Sequence, residues 1–335
     1  MLAQDFPAIA DNWQGGQPLV LMPSIDLAVA SFAPGRAPLW ANVLFSRQRE
    51  QGVLAEIGRD AGPLRNIHFL ADQRDANGDS IAWLPGSDWS HMSWRSLHGT
   101  GPLRFVAPYP ASLLKLMVAV GVGMAVEAGC TDWPADLEPM IVVSDNDATT
   151  RCVALLHRCG MVEALNRRFA ILGLPTLQLN NTRVDGGWGN RQGAGVGQIH
   201  MTAWDTVRLL WLLDDQSPPA PWLPAGARLL QPATRDHLRA VLARQRLDHV
   251  LSSGSLRGLP GWVPGLPDAP AFAHKTGNTD NYTADAGIVQ TPGAHYIVAL
   301  LSSVGHRYAP DERCATTWRV PALGAALHAL MEKLA

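Results

Sequence analysis

The hydrophobic pattern divides the chain into a mixed first part, a helical middle and a strand-rich end closed by a helix. Its longest apolar run lies at residues 108–129, PYPASLLKLMVAVGVGMAVEAG, where Leu113, Leu114, Leu116, Met117, Val118, Val120, Val122, Met124 and Val126 leave little polar face. A helix apolar on all sides is a buried helix. A lysine carried in with it, here Lys115, needs partners or a role. Pro108 and Pro110 restrict the chain just ahead, so Ser112 is expected in the first turn. Unpaired backbone N–H groups there favour a developing negative charge.

Before that run, residues 39–59 read as an amphipathic helix in which Val43, Leu44, Val53, Leu54 and Ile57 share a stripe. Two strands, 67–71 and 80–84, flank Asn77-Gly78, a pair suited to a tight hairpin turn. Residues 85–107, with Trp89, His91, Trp94 and His98, read as loop. After the apolar run come helices at 147–159 and 162–172, stopped by Gly160 and Gly173, then a glycine-rich loop at 180–200. Thr202 caps a further helix whose Trp204, Val207, Leu210 and Trp211 face inward, and residues 233–246 form another. Strands follow at 271–277, 284–290 and 296–303, and a helix at 318–334 ends the chain. This segregation implies an α+β fold: an antiparallel sheet flanked by helices, with an inserted all-helical subdomain at about 125–262. Residues 1–40 carry no regular pattern and are expected to be an N-terminal extension to a domain spanning 41–335.

Composition narrows the function. A net charge of -2 with 17% charged residues provides no basic stripe, so nucleic acid is not an expected partner. The apolar run is interrupted by Lys115 and Glu127, so no membrane span is expected. The first residues lack a basic region and an apolar core, which reads as cytoplasmic as written, or periplasmic or secreted if a leader has been removed. Cys130, Cys152, Cys159 and Cys314 form no metal-binding spacing and are expected to be buried free thiols, with a disulfide as the lesser alternative.

Ser112 and Lys115 stand three residues apart, a spacing that puts both on one helix face and a proton acceptor beside a nucleophile. The pair alone is a weak signal, since S-x-x-K occurs by chance in many chains. Two further short motifs follow it in order: Ser144-Asp145-Asn146 and Lys275-Thr276-Gly277. With all three, the chain resembles the serine β-lactamase and penicillin-binding superfamily, in its class A-like branch, from about residue 41 onward.

The resemblance implies a β-lactamase-like fold and a serine hydrolase. Ser112 would be the acylated nucleophile and Lys115 its proton acceptor; Ser144 would pass a proton to the leaving nitrogen, and Asn146 would bond Lys115 or the substrate amide. Lys275 and Thr276 would hold a substrate carboxylate, Lys275 also biasing Ser144. The N–H groups of Ser112 and of Asn278, just past Gly277, would form the oxyanion hole, and Asp145 would be structural. The three motifs supply each part of an acyl transfer without a metal or cofactor. The expected partner is a small-molecule or peptide substrate with a carboxylate. Strand alternation turns His274 away from Lys275, giving it a packing role.

Two departures bear on turnover. Class A enzymes of this superfamily carry a deacylating glutamate, but between Asn166 and His200 the only carboxylate is Asp185, which becomes the candidate base. The interval from Ser112 to Ser144 is also short, which implies trimmed connecting helices. Besides β-lactam hydrolysis, the same parts suit a D,D-peptidase, an esterase or a biosynthetic acyltransferase, or a non-catalytic ligand sensor.

Overall fold

Side-chain alternation across one six-stranded antiparallel sheet sets the layers of the molecule. The computed structural model describes residues 1–71, 96–99, 101–188 and 199–335. A short ribbon of β1 (Ala10–Asp11) and β2 (Gln17–Pro18) precedes β3 (Ile25–Ser31), β4 (Leu39–Ser46) and β5 (Arg49–Leu54). Near the end come β11 (Phe272–Asn278), β12 (Thr283–Thr291) and β13 (Ala294–Ser302). The sheet order is β11-β12-β13-β3-β4-β5. Ile25–Ser31, within the stretch expected to be an extension, is therefore an interior strand joining the two halves of the sheet. Its pattern is masked because both faces are covered, leaving a nearly continuous apolar run instead of alternation.

The predicted helix over 39–59 is instead the β4–β5 hairpin. Val43 pairs with Leu54 and Leu44 with Val53, so residues that fit one helical stripe meet across two strands. Short apolar clusters satisfy both periodicities, and the sheet edge decided between them. Between the halves, β6 (Ile67–Ala71) pairs antiparallel with β7 (Ser96–His98) and parallel with β8 (Leu103–Ala107). Two strands thus lie where loop was expected. The Asn77-Gly78 turn, the strand at 80–84, Trp89, His91 and Trp94 lie outside the described residues.

The helices are α1 (Lys115–Glu127), α2 (Leu137–Val142), α3 (Asn146–Arg158), α4 (Met161–Ile171), α5 (Ala203–Leu213), α6 (Pro232–Leu242) and α7 (Arg319–Leu334). Between α4 and α5, β9 (Gln178–Leu179) and β10 (Ile199–His200) pair antiparallel. Helix α1 packs against α2, α3, α4 and α6, while α5 lies on β3, β12 and β13. The segment expected to be all-helical therefore includes one helix seated on the sheet. Small residues make that seat possible: Ala28, Ala30, Ala284, Ala286 and Ala299 face the helices in one core. The alternate positions, including Ile25, Leu27, Val289, Tyr296, Val298 and Leu300, pack under α7 with Phe6 and Ile9 in a second core. Among the described residues, no helix is long and apolar enough to cross a membrane.

Cys152 and Cys314 are buried free thiols, as expected. Cys130 and Cys159 are not: they form a disulfide across 29 residues, tying the end of α1 to the end of α3. Spacing along the chain cannot reveal this pair, because the hairpin of helices brings the two ends together. Closing a loop of this length restricts the unfolded chain by roughly 3–4 kcal/mol. Cys130→Ser is expected to lower the urea unfolding midpoint under oxidising conditions, with no further loss when dithiothreitol is added; a variant as stable as the oxidised parent would contradict this.

Candidate active site

Ser112 sits in a single 3-10 turn, Ala111–Leu114, directly ahead of α1 and following Pro110. This differs slightly from the first α-helical turn expected. Ala111 takes a positive φ of 48° to enter it, and Ser144 a positive φ of 59°. Left-handed backbone at a non-glycine residue costs about 1–3 kcal/mol and persists where surrounding contacts demand it. Both examples here flank the same cleft.

Lys115, fully buried, reaches from the first position of α1 to the loop before α3. Its Nζ donates to Ser144 O at 2.6 Å, Ser144 Oγ at 3.0 Å and Asn146 Oδ1 at 2.8 Å. From the opposite side, Lys275 on β11 donates to the same Ser144 Oγ at 3.0 Å and to Thr276 O at 2.7 Å. Lysine residues 160 positions apart thus meet on one serine hydroxyl. A hydroxyl has two acceptor lone pairs and one hydrogen. With both lone pairs of Ser144 facing lysine Nζ atoms that donate to them, its hydrogen is left to point elsewhere.

Burial pushes Lys115 down to about 8, against the opposing pull of Asp145. Lys275 is also held well below an ordinary lysine, by burial and then by the nearby charge of Lys115, with Asp285 opposing. Asp145 itself caps α3 by accepting from the Ala148 N–H at 2.6 Å, the structural role expected of it.

Strand β11 lies against the turn that holds Ser112. A methyl group placed on Gly277 would be 2.4 Å from Pro110 O, 2.7 Å from Leu113 N and 2.9 Å from Ser112 N. Glycine is required here for close backbone approach, its φ being ordinary. Thr276 is buried, and the exposed Asn278 accepts from Thr283 Oγ1 at 3.1 Å. Asp185 is placed differently: its side chain is 65% exposed and pairs with Arg183 at 3.2 Å. It also accepts from the Gly187 N–H at 2.9 Å. These bonds hold its pKa below the usual carboxylate range, the Gly187 bond most, so it is a weak base turned to solvent.

Two groups beside the site were not foreseen. Trp188 places its ring with the centroid 5.4 Å from Lys115 Nζ. His274, expected only to pack, does stack on Phe272 with ring centroids 4.1 Å apart, but it also faces two carboxylates. Its Nδ1 is 2.7 Å from Asp285 Oδ1, and its Nε2 is 3.2 Å from Asp248 Oδ1, an ion-pair distance without an aligned hydrogen bond. Burial would lower this imidazole, but Asp285 and Asp248 overcome it and raise it to about 9. Nothing in the local sequence signals the cluster, since Asp248 comes from the connection after α6 and Asp285 from β12.

Lys115, Ser144 and Lys275, with Ser112 on the adjoining turn, gather at the junction of an antiparallel sheet and a helical layer, the two lysines buried and the two serines half-buried. The family described as "Beta-lactamase enzyme family" matches residues 135–317, more than half of the chain, and the chain belongs to that family, within the serine β-lactamase and penicillin-binding superfamily. The matched part holds Ser144 and Lys275 and begins after Ser112. Among solved structures, the β-lactamase from Sphaerobacter thermophilus DSM 20745 is 15% identical, with 93% of each chain covered and a TM-score of 0.50. PBP-A is 22% identical over 67% of this chain and 81% of its own, with a TM-score of 0.45. The β-lactamase from Streptomyces albus G is 19% identical over 67% of this chain and 85% of its own, with a TM-score of 0.43. At these identities the likeness is one of fold. No curated protein matches the chain.

Proposed function

We propose that this chain is a serine acyl-transfer enzyme that forms an acyl-enzyme at Ser112 with a β-lactam or a related amide or ester. The observation carrying this reading is the meeting of Lys115 and Lys275 on Ser144 Oγ, each at 3.0 Å, beside the turn that holds Ser112. Lys115, lowered by burial, takes the Ser112 proton as a neutral amine while Oγ bonds to the acyl carbon. The oxyanion is met by the N–H groups of Ser112 and Asn278. Ser144 gives its free hydrogen to the leaving nitrogen as the carbon–nitrogen bond breaks, and recovers a proton through the lysines. Lys275 and Thr276 hold the substrate carboxylate, and Asn146 orients Lys115.

A slow-turnover variant of this reading, in the manner of a penicillin-binding acyltransferase or sensor, is favoured by Asp185 pointing to Arg183 and solvent. Intact-mass measurement over time with benzylpenicillin and with nitrocefin separates the readings. A covalent adduct supports acyl transfer, and its decay rate distinguishes hydrolysis from long-lived acylation; neither adduct nor turnover would remove β-lactams as substrates.

Gly277→Ala is expected to slow acylation by about 100-fold, because a shift of about 1 Å in the nucleophile's turn is enough to spoil attack geometry. Stopped-flow adduct formation measures the effect. Acylation at the parent rate would show that β11 does not constrain Ser112.

A further inference from the structure

We propose that Trp188 keeps water from Lys115 and so makes the ester on Ser112 long-lived, a positioning role that rests on Ser112 being the acylated serine. Hydrolysis requires a water oxygen to bond the acyl carbon as Ser112 Oγ leaves and is reprotonated. The water must also lose a proton to an adjacent acceptor. Lys115, when uncharged, is the acceptor assigned here, because its Nζ lies on the loop beside the turn that holds Ser112. Its hydrogen-bond partners there are oxygens of Ser144, Asp145 and Asn146, none of them a carboxylate.

The turn carrying Trp188 is fixed. Arg183 N donates to Gly187 O and Gly186 N to Arg183 O, both at 2.9 Å, and Thr182 bridges to Trp188. The turn is docked on α3 in three places. Trp188 Nε1 donates to Thr150 Oγ1 at 3.3 Å, and His157 Nε2 lies 3.0 Å from Thr182 Oγ1. Gly186 comes so close that a methyl group there would be 2.1 Å from Thr150 O. Thus the turn presents a ring to Lys115 and its carboxylate, Asp185, to Arg183. An aromatic face attracts an ammonium group but has no lone pair with which to accept a proton from water. The part of the cleft that could have supplied a base supplies a wall.

The test follows the benzylpenicillin adduct by intact mass in the parent, Trp188→Ala, Trp188→Leu and Trp188→Phe. The adduct half-life is expected to shorten by about tenfold or more in the Ala and Leu variants and to be kept by Phe. A structural role alone would depress adduct formation in all three without changing its decay, and equal half-lives overturn the proposal. Acetic anhydride labelling of Lys115, read by peptide mass, tests the shielding without an acyl-enzyme: Ala and Leu should label about tenfold faster than the parent. If the parent forms no adduct, the Ser112 reading fails and this labelling decides on Trp188. Unchanged labelling overturns the shielding.

Discussion

Replacing Lys115 by alanine is expected to slow acylation of Ser112 by about 10²–10⁴-fold, the range spanned by a positioned proton acceptor. Lys115 makes three close bonds to the loop bearing Ser144 and Asn146, so the loss is one of chemistry and of loop placement together. The pH profile separates them. With Lys115 lowered to about 8 by burial, the amine fraction rises with pH through that value, and so should the acylation rate of the parent. Because Lys275 contacts the same hydroxyl, the observed inflection belongs to the coupled pair. Lys115→Ala should lose the inflection as well as the rate. A flat profile in the parent, or a variant acylating at the parent rate, would remove Lys115 from the proton transfer.

The second large effect is expected at His274. Removing the imidazolium leaves Asp248 and Asp285 facing each other in the interior, and breaking a buried ion cluster costs about 3–5 kcal/mol. The cluster also staples three parts of the fold: Asp285 accepts from the Leu251 N–H at 3.0 Å, and Asp248 from Ser252 Oγ at 2.9 Å. Its pH dependence has a definite sign. The folded value is raised from 6.5 to about 9, so the stabilisation is fully present below about 6.5 and disappears as pH rises through 9. A shift of that size corresponds to about 3 kcal/mol. Urea midpoints should therefore fall between pH 6 and pH 10 in the parent, and His274→Asn should be weaker at pH 6 with a smaller fall. A variant matching the parent at pH 6 would show that the imidazole is merely packed.

What the sequence made legible depended on how local the determinants are. Ser112, Lys115, Ser144, Asn146 and Lys275 announce themselves through short motifs, and the structure joins the last four by hydrogen bonds beside the turn of Ser112. The Thr202 cap is equally local, accepting from the Asp205 N–H within its own turn. By contrast, Val43, Leu44, Val53 and Leu54 satisfy helical and strand spacing alike, and only pairing across a hairpin separates the two. Ile25–Ser31 hid because both of its faces are buried. The Cys130–Cys159 bond, the approach of Asp248 to His274 and the ring of Trp188 over Lys115 are long-range meetings. No pattern within a dozen residues encodes any of them.

The proposed chemistry requires Ser112 Oγ to be the atom acylated. Digesting the benzylpenicillin-treated protein and mapping the adduct by tandem mass spectrometry, in the parent and in Ser112→Ala, tests that directly. The expected result is a modified peptide with the acyl group on Ser112 in the parent and no modified peptide in the variant, whose urea midpoint stays close to the parent's. An adduct on Ser144, or one that persists in Ser112→Ala, would contradict it.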